Sequence, residues 1–270
     1  MTARGLGLSW LVFCYAFLYL PIAFLIGFSF NESRSVTAWG GFSWHWYWVL
    51  VHDTAILGAA WLSLRIAVVS ASVALVMGTA SGLALARFGR FGGRAAFEAA
   101  LFAPLILPEV ITGLALLLLF VLLERFTGWP SGRGAGTVTL AHASVSVAYV
   151  AVVVRARLAD MGTALEEAAA DLYAPPWKVF LVVTVPVLAP ALAAGWLLGF
   201  TLSLDDVVVA SFTSGPGATT LPMLVFSATR LGVTPEIYAL ATVIVAVVTV
   251  GLVGVRWWTG RARAGMGSDR

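Results

Sequence analysis

The sequence has few charged residues, one lysine and one cysteine, and each scarcity excludes a class of protein. Charged residues make up 11% of the 270 residues, against about 25% in soluble domains. Hydrophobic residues make up 60%, and the mean hydropathy of +0.96 is too high for one globular core to hide them all. A soluble domain and a disordered chain are therefore excluded. The composition predicts a membrane protein with little mass outside the bilayer.

The single cysteine, Cys14, lies in an apolar run. An intramolecular disulfide and a Cys-x-x-Cys metal site are therefore excluded, and no metal or cofactor site is predicted elsewhere. Lys178 is the only lysine, and no G-x-x-x-x-G-K-[ST] phosphate-binding loop occurs. Neither H-E-x-x-H nor G-x-S-x-G is present. The sequence thus predicts no catalytic residue, no enzyme activity and no ATP hydrolysis by this chain.

About six stretches are apolar and close to the roughly 20 residues that a membrane-spanning helix needs. They are 8–30, 63–86, 95–122, 138–154, 183–204 and 235–257. A further apolar stretch, 207–226, is interrupted by Ser214-Gly215-Pro216-Gly217, which favours a re-entrant or surface segment over a seventh span. The sequence predicts one transmembrane domain over 8–258, with short ends at 1–7 and 259–270.

The basic residues predict the orientation of these spans. With the N-terminus in the cytoplasm, eleven of the sixteen basic residues fall on cytoplasmic segments and four on outer ones. This is the positive-inside bias of multi-pass membrane proteins, and it places both termini in the cytoplasm. The net charge of +3 therefore reflects topology and does not indicate a nucleic-acid partner.

Two pairs of glycines have the spacing of a helix-packing motif. Gly78 with Gly82, and Gly195 with Gly199, are each four residues apart inside a predicted span. Because glycine has no side chain, such a stripe lets a second helix approach closely. Helix packing is the interpretation for both pairs.

The only sizeable cytoplasmic segment, 155–182, is predicted to form two short helices. Thr163 and Glu166 have the spacing of a capping box at the start of an alanine-rich first helix. Pro175 ends that helix and Pro176 suits the first turn of the second. The second helix places Trp177, Phe180 and Leu181 on one side, and Pro186 is expected to end it. An exposed helical elbow with an apolar face suits docking on another protein.

This segment resembles the cytoplasmic signature loop of membrane subunits of binding-protein-dependent ABC importers. That loop has the pattern E-A-A, three residues, G, nine residues, I-x-L-P, and Glu167, Ala168, Ala169 and Pro186 match it. Tyr173 stands where the family has glycine. Glycine adopts a positive φ at little cost and tyrosine is not expected to, so the two prolines that follow are expected to supply the bend. The resemblance implies a set of ATPase-coupling residues: Glu166, Glu167, Ala168, Ala169, Asp171, Tyr173, Pro176, Trp177 and Pro186.

Two further stretches narrow the resemblance to permeases of polyamine importers, most like the second permease subunit of the putrescine system. They are Leu107-Pro108-Glu109-Val110-Ile111-Thr112-Gly113 and the long run 203–222, which begins Ser203-Leu204-Asp205-Asp206. The resemblance covers most of the chain, from Leu8 to about Val255. It implies an all-α integral membrane protein with the ABC importer permease (MetI-like) architecture, which moves putrescine and/or spermidine across the bacterial inner membrane.

The resemblance also implies partners: a separate ABC ATPase acting as a homodimer, a second, related permease subunit that completes a heterodimer, and a periplasmic polyamine-binding protein. Two alternatives remain open from the residues. One is a permease for another small organic cation or amine. The other is a proton-coupled secondary transporter using Glu109, His142 and Asp205.

Ionisable groups at membrane depth are unfavourable by roughly 2.5–3.5 kcal/mol each on insertion scales, so they line a path or pair with one another. Glu109, Asp205 and Asp206 are the candidate substrate-path residues. Glu109 follows Pro108, where a broken helix can face a water-lined cavity, but it has the alternative of pairing with Arg65 or His142. Asp205 and Asp206 are adjacent and cannot both face one path, so one of them is a candidate to cap the next segment. Glu98 is expected either to form a local ion pair with Arg94 or Arg90 or to lie at a solvated helix end.

Overall fold

The computed structural model describes residues 3–35, 38–232 and 234–266. Within them the chain is almost entirely helical, and an isolated antiparallel bridge joins Asn31 to Phe42. Five of the described helices are long and apolar enough to cross a membrane, and a shorter apolar helix covers Pro235–Gly251. Of the predicted cytoplasmic ends, residues 1–2 and 267–270 lie outside the described residues. The all-α membrane architecture expected from the composition is confirmed.

The helices fall into two compact units. The first unit, Met1–Leu57 with Ser227–Arg270, contains α1, α2 and α12. The second unit, Gly58–Phe226, contains most of α3 and the helices α4 to α10. The bounds in chain order are α1 Ala3–Phe28, α2 His45–His52, α3 Thr54–Arg87, α4 Arg94–Ile106, α5 Glu109–Thr127, α6 Ala135–Met161, α7 Ala164–Asp171, α8 Pro176–Val179, α9 Val185–Asp205, α10 Val208–Thr213, α11 Leu221–Leu231 and α12 Pro235–Met266. A π-helical turn, Phe180–Thr184, joins α8 to α9.

In the first unit the aromatic segment that includes α2 packs by ring contacts and hydrogen bonds. Trp46 is buried, and its Nε1–H donates to the carbonyl of Asn31 at 2.7 Å. The hydroxyl of Tyr47 lies 2.6 Å from that of Ser29. These two aromatics therefore hold α2 against the end of α1, while Trp44 and Trp48 stay exposed, as expected for residues at a membrane interface.

In the second unit α6 is the central helix, and it packs against α9, α10 and α4. A buried cluster of valines and leucines, including Val150, Val154, Leu158 and Leu188, fills the contact between α6 and α9. A Cβ atom on Gly78 would lie 2.6 Å from Cβ of Val150, so this glycine allows α3 to approach α6 closely. The helix-packing interpretation of the Gly78 and Gly82 pair is therefore confirmed.

The predicted third span, 95–122, is two helices, α4 and α5, separated by Leu107 and Pro108. Both residues are extended, with ψ 140, and Leu107 is driven out of the helical region because it precedes a proline. The stretch 207–226 likewise holds α10, a turn and the start of α11. The amide of Ala218 bonds to the carbonyl of Gly215 at 3.0 Å and Gly217 has φ +73, so the expected turn is present. A single permease domain over 8–258 stays a prediction.

Candidate functional site: an anionic cavity and a cytoplasmic helical loop

The three candidate path residues line one cavity in the second unit. Glu109 comes from the start of α5, Asp205 from the end of α9, and Asp206 from the break before α10. The cavity has a volume of about 340 Å³. Its other lining residues are Pro104, Thr112, His142, Val145, Ser146, Tyr149, Leu202, Ser203, Val207, Val208 and Val209. The structure thus brings together carboxylates that are 96 positions apart in the sequence (205 − 109).

Glu109 reaches this cavity because the chain breaks immediately before it. The carbonyl of Pro108 accepts the amides of Ile111 and Thr112 at 2.9 and 3.1 Å, which starts α5 with Glu109 in its first turn. A carboxylate is favoured at a helix N-terminus by the exposed amides and the helix dipole. Within the described residues Glu109 forms no ion pair, with Arg65 and His142 included. Its charge is therefore available to the cavity.

The two adjacent aspartates have different roles. The carboxylate of Asp206 accepts the amides of Val209 at 3.3 Å and Ala210 at 2.7 Å, so Asp206 caps α10. Asp205 is the last residue of α9, is exposed, and forms no ion pair among the described residues. The alternative that one aspartate caps the next segment therefore applies to Asp206. The expectation that the two aspartates cannot face the same space is wrong, because both also line this cavity.

His142 on α6 connects the end of α9 to the start of α10 through two hydrogen bonds. The ring is buried, with Nε2 3.1 Å from Oδ2 of Asp206 and Nδ1 2.7 Å from the hydroxyl of Ser203. The hydroxyl of Ser70 on α3 lies 3.2 Å from that of Ser203. Neither serine stands out in the sequence, because serine is common in membrane helices as a local backbone hydrogen-bonding residue. The only signal is the position of Ser203 three residues before Asp206.

The lining of the cavity is negatively charged. It holds three carboxylates and a histidine, and none of the described lining residues is lysine or arginine. The remaining wall is largely apolar: besides Thr112, Ser146 and Ser203 it is formed by valines, Leu202, Pro104 and Tyr149, which adds an aromatic residue. Such a surface attracts cations with an apolar part, since carboxylates pair with the charge and the aromatic ring favours cation contact.

No group of three or more His, Cys, Asp or Glu side chains in the described parts of the chain is arranged to hold a metal ion. Glu98, expected to pair with Arg94 or Arg90, instead pairs with Arg155 on α6. Arg94 donates to the carbonyls of Gly89 and Leu85 at the end of α3. The expectation of an ion pair is therefore correct, but its partner comes from another helix.

The loop at 155–182, predicted to be cytoplasmic, forms two short helices as expected, but its turn differs from the expectation. Tyr173 adopts φ +61, and it is the only described non-glycine residue with a positive φ. Its amide bonds to Ala170 at 2.8 Å and that of Ala174 bonds to Ala169 at 3.3 Å. These two bonds form a Schellman motif, in which the left-handed residue is usually glycine. The expectation that Tyr173 avoids a positive φ is wrong, because the two bonds satisfy the end of α7.

Glu166 does not form the predicted capping box with Thr163. Its Oε2 pairs with Nε of Arg87, at the end of α3, at 2.7 Å, and its Oε1 accepts the hydroxyl of Thr184 at 2.8 Å. Arg87 also donates to the carbonyl of Gly162 at 2.6 Å. One carboxylate therefore connects α7 to α3 and to the π-helical turn. The stronger, charge-assisted partner prevails over the local cap.

Pro186 does not end the second loop helix. Pro176 occupies the first turn of α8 as predicted, and the helix then continues through the π-helical turn into α9 with Pro186 in the first turn of α9. A proline lacks an amide donor, and the wider π turn before it accommodates the missing bond. Leu172, Tyr173 and Trp177 are 83%, 96% and 66% exposed, which gives the elbow an apolar surface.

Comparison with known proteins identifies the class to which this fold and these sites belong. The chain belongs to the family of binding-protein-dependent transport system inner membrane components, which matches residues 74–265. It is 54% identical over 250 residues to the putrescine transport system permease protein PotI of Escherichia coli (strain K12), covering 93% of this chain and 88% of that protein. It is 38% identical over 244 residues to the spermidine/putrescine transport system permease protein PotC of the same organism, covering 90% of each.

Solved structures give the same fold. A bacterial ABC transporter involved in the import of the acidic polysaccharide alginate has a chain that superposes with a TM-score of 0.72 and 18% identity, covering 94% of this chain and 96% of that one. A chain of the MetNI methionine ABC transporter superposes with a TM-score of 0.58, also at 18% identity, covering 79% and 95%. The ABC importer permease architecture and the family resemblance carried by the loop motif are therefore confirmed.

Proposed function

We propose that this chain is a permease subunit of an ATP-driven importer that passes polyamines, putrescine and/or spermidine, through the cavity between α5, α6 and α9. The observation that carries the proposal is the charge of that cavity. Glu109, Asp205 and Asp206 line it with no described lysine or arginine in the lining. The names of the relatives PotI and PotC support the same substrate class.

A polyamine is an alkyl chain with ammonium groups at its ends, so its path needs separated carboxylates with apolar wall between them. Glu109 and Asp205 come from different helices, and neither is neutralised by an ion pair among the described residues. Valine side chains and the ring of Tyr149 lie in the same lining. A few spaced anions permit release, whereas a dense cluster would trap the ligand.

The cytoplasmic elbow is the proposed contact with a separate ATPase, which acts as a homodimer. Leu172, Tyr173 and Trp177 expose an apolar surface, and Glu166 connects the elbow to α3 and to the start of α9. Movement of the elbow is thereby linked to α9, the helix that carries Asp205. Binding of ATP to the separate ATPase could in this way shift the permease between two conformations that differ in access to the cavity. A second, related permease subunit and a periplasmic binding protein complete the proposed assembly in the bacterial inner membrane.

The test is uptake of radiolabelled putrescine and spermidine by the complete complex in proteoliposomes, with loaded binding protein and ATP. Glu109→Gln and Asp205→Asn each remove one charge with little change of shape. We expect each to reduce uptake at least about tenfold, corresponding to roughly 1.4 kcal/mol of lost stabilisation of the cation in the path.

Glu124→Gln is the matched control, because Glu124 lies at the other end of α5, is exposed and forms no ion pair among the described residues. Its uptake should equal that of the unmodified chain. Full uptake by both Glu109→Gln and Asp205→Asn would contradict the cationic path. Uptake driven by a proton gradient without ATP would instead support a secondary transporter.

A further inference from the structure

The side chain of His142 lies between residues that flank Asp205 on both sides in the sequence. Nδ1 contacts the hydroxyl of Ser203, in the last turn of α9, at 2.7 Å. Nε2 contacts Oδ2 of Asp206, just beyond the end of α9, at 3.1 Å. One ring on α6 therefore holds the residues on both sides of Asp205 through hydrogen bonds to Ser203 and Asp206.

The hydrogen bonds around the ring give it a defined direction. An ionised carboxylate only accepts hydrogen bonds, so Nε2 of a neutral ring carries the proton and donates to Asp206. Nδ1 then accepts from the hydroxyl of Ser203, and Ser203 in turn accepts from Ser70 on α3 at 3.2 Å. The ring is 4% exposed. Because the ring is buried, loss of its hydrogen bond to Ser203 or to Asp206 would leave a polar group without a partner, at the full desolvation cost of that group.

This arrangement sets the rotation of the end of α9. Ser203 is turned towards α6 by its bond to His142, and Asp205 lies two residues on, about 200° further round the helix axis. Asp205 is accordingly exposed, whereas Ser203 is buried. On the other side of the break, Asp206 is held by His142 and by the amides of Val209 and Ala210.

We propose that His142 is a positioning residue for the cation path: by bridging Ser203 on α9 and Asp206 at the cap of α10, it holds the backbone break that presents Asp205 to the cavity. His142 thereby acts through Asp205 and not on the substrate. The inference rests on the proposed function, because it assigns to Asp205 the task of meeting the cation.

The test is a pair of double-mutant cycles in the same ATP-driven uptake assay. His142→Leu removes both hydrogen bonds at similar size, and we expect about a tenfold loss of uptake, equivalent to roughly 1.4 kcal/mol. In the Asp205→Asn background, where there is no carboxylate left to position, His142→Leu should lower uptake further by less than about threefold. In the Glu109→Gln background, on a helix that His142 does not hold, the full tenfold loss should return.

His142→Gln is the conservative variant, since an amide can donate to Asp206 and accept from Ser203 at once. We expect it to keep at least about a third of the uptake, and the amount of assembled complex is measured in every variant. An equal further loss in both backgrounds, or no recovery with glutamine, would overturn the positioning role. The proposed function fails separately, when Glu109→Gln and Asp205→Asn alone leave uptake unchanged.

Discussion

The bond between Glu166 and Arg87 is expected to contribute measurably to the stability of the permease. Glu166→Gln keeps the size of the side chain and removes its charge, so the ion pair at 2.7 Å and the charge assistance to Thr184 are both lost. Arg87 keeps its bond to the carbonyl of Gly162 and at most an uncharged-acceptor hydrogen bond to the amide oxygen of the glutamine. The perturbation therefore weakens the connection between the loop helix α7 and the end of α3.

The magnitude follows from the burial of the pair. The two side chains are 17% and 18% exposed, so the pair lies between a surface ion pair, which contributes about 0–1 kcal/mol, and a fully buried one, whose disruption costs about 3–5 kcal/mol. We expect a loss of about 2 kcal/mol, within the range for hydrogen bonds to charged groups. For a domain of this size that corresponds to a decrease of roughly 4–8 °C in the unfolding midpoint.

The assay is thermal unfolding of the purified complex in detergent, followed by tryptophan fluorescence at one fixed scan rate, because unfolding of such proteins is commonly irreversible. The 11 tryptophans provide the signal. Glu167→Gln is the matched control: Glu167 is the next residue on the same helix, is exposed and forms no ion pair among the described residues.

We expect Glu167→Gln to leave the midpoint unchanged and to affect only coupling to the ATPase, whereas Glu166→Gln lowers the midpoint as well. Replacement of Arg87 by glutamine should lower it by a similar amount, and the double variant should add little to either single change. Equal midpoints for the Glu166 and Glu167 variants would refute the assignment of Glu166 as the structural connection.

Two further predictions concern backbone geometry. Gly78→Leu should reduce the amount of folded protein in the membrane several-fold, because a Cβ there would already lie 2.6 Å from a valine on α6 and overpacking costs about 1–3 kcal/mol or more. Gly58→Leu is the control on the same helix, since a Cβ there meets nothing within 4 Å, and it should not reduce the yield. Equal yields of the two variants would show that the close approach is not required. Tyr173→Val should speed cleavage by a lysine-specific protease at Lys178, the only lysine in the sequence, by about 5–30-fold, because roughly 1–2 kcal/mol of left-handed strain then falls on a branched residue. Tyr173→Asn should be cleaved at nearly the rate of the unmodified chain. Similar rates for the two variants would contradict the turn geometry.

Much of the fold was predictable because the bilayer imposes a simple rule. A span needs about 20 apolar residues with every backbone group bonded internally, so hydropathy alone locates most of the helices. The rule fails where proline interrupts an apolar run. Leu107 and Pro108 separate α4 from α5, whereas Pro186 interrupts nothing because a π turn precedes it. Both prolines lie in largely apolar stretches, although Glu109 follows the first and Val187 the second, and the neighbouring backbone decides between the two outcomes.

The candidate sites, like the fold, were only partly predictable from the sequence. Charges in an apolar chain are conspicuous, so Glu109, Asp205 and Asp206 could be selected from the sequence, and the loop could be located from its motif. The partners of those charges could not. Glu166 pairs with an arginine 79 positions away, and Glu98 pairs with one 57 positions away.

The sequence by itself determined that this is a helical membrane protein, which of its residues are charged within apolar stretches, and where its helical elbow lies. These properties follow from composition and short-range spacing, because transfer of a segment into the bilayer depends on its own hydropathy and charge. Only the tertiary structure decided that Glu109 and the two aspartates line one cavity, that His142 bridges Ser203 and Asp206, and that Glu166 connects the loop to α3. Those assignments depend on which helices lie side by side, and distant packing, not local sequence, determines that.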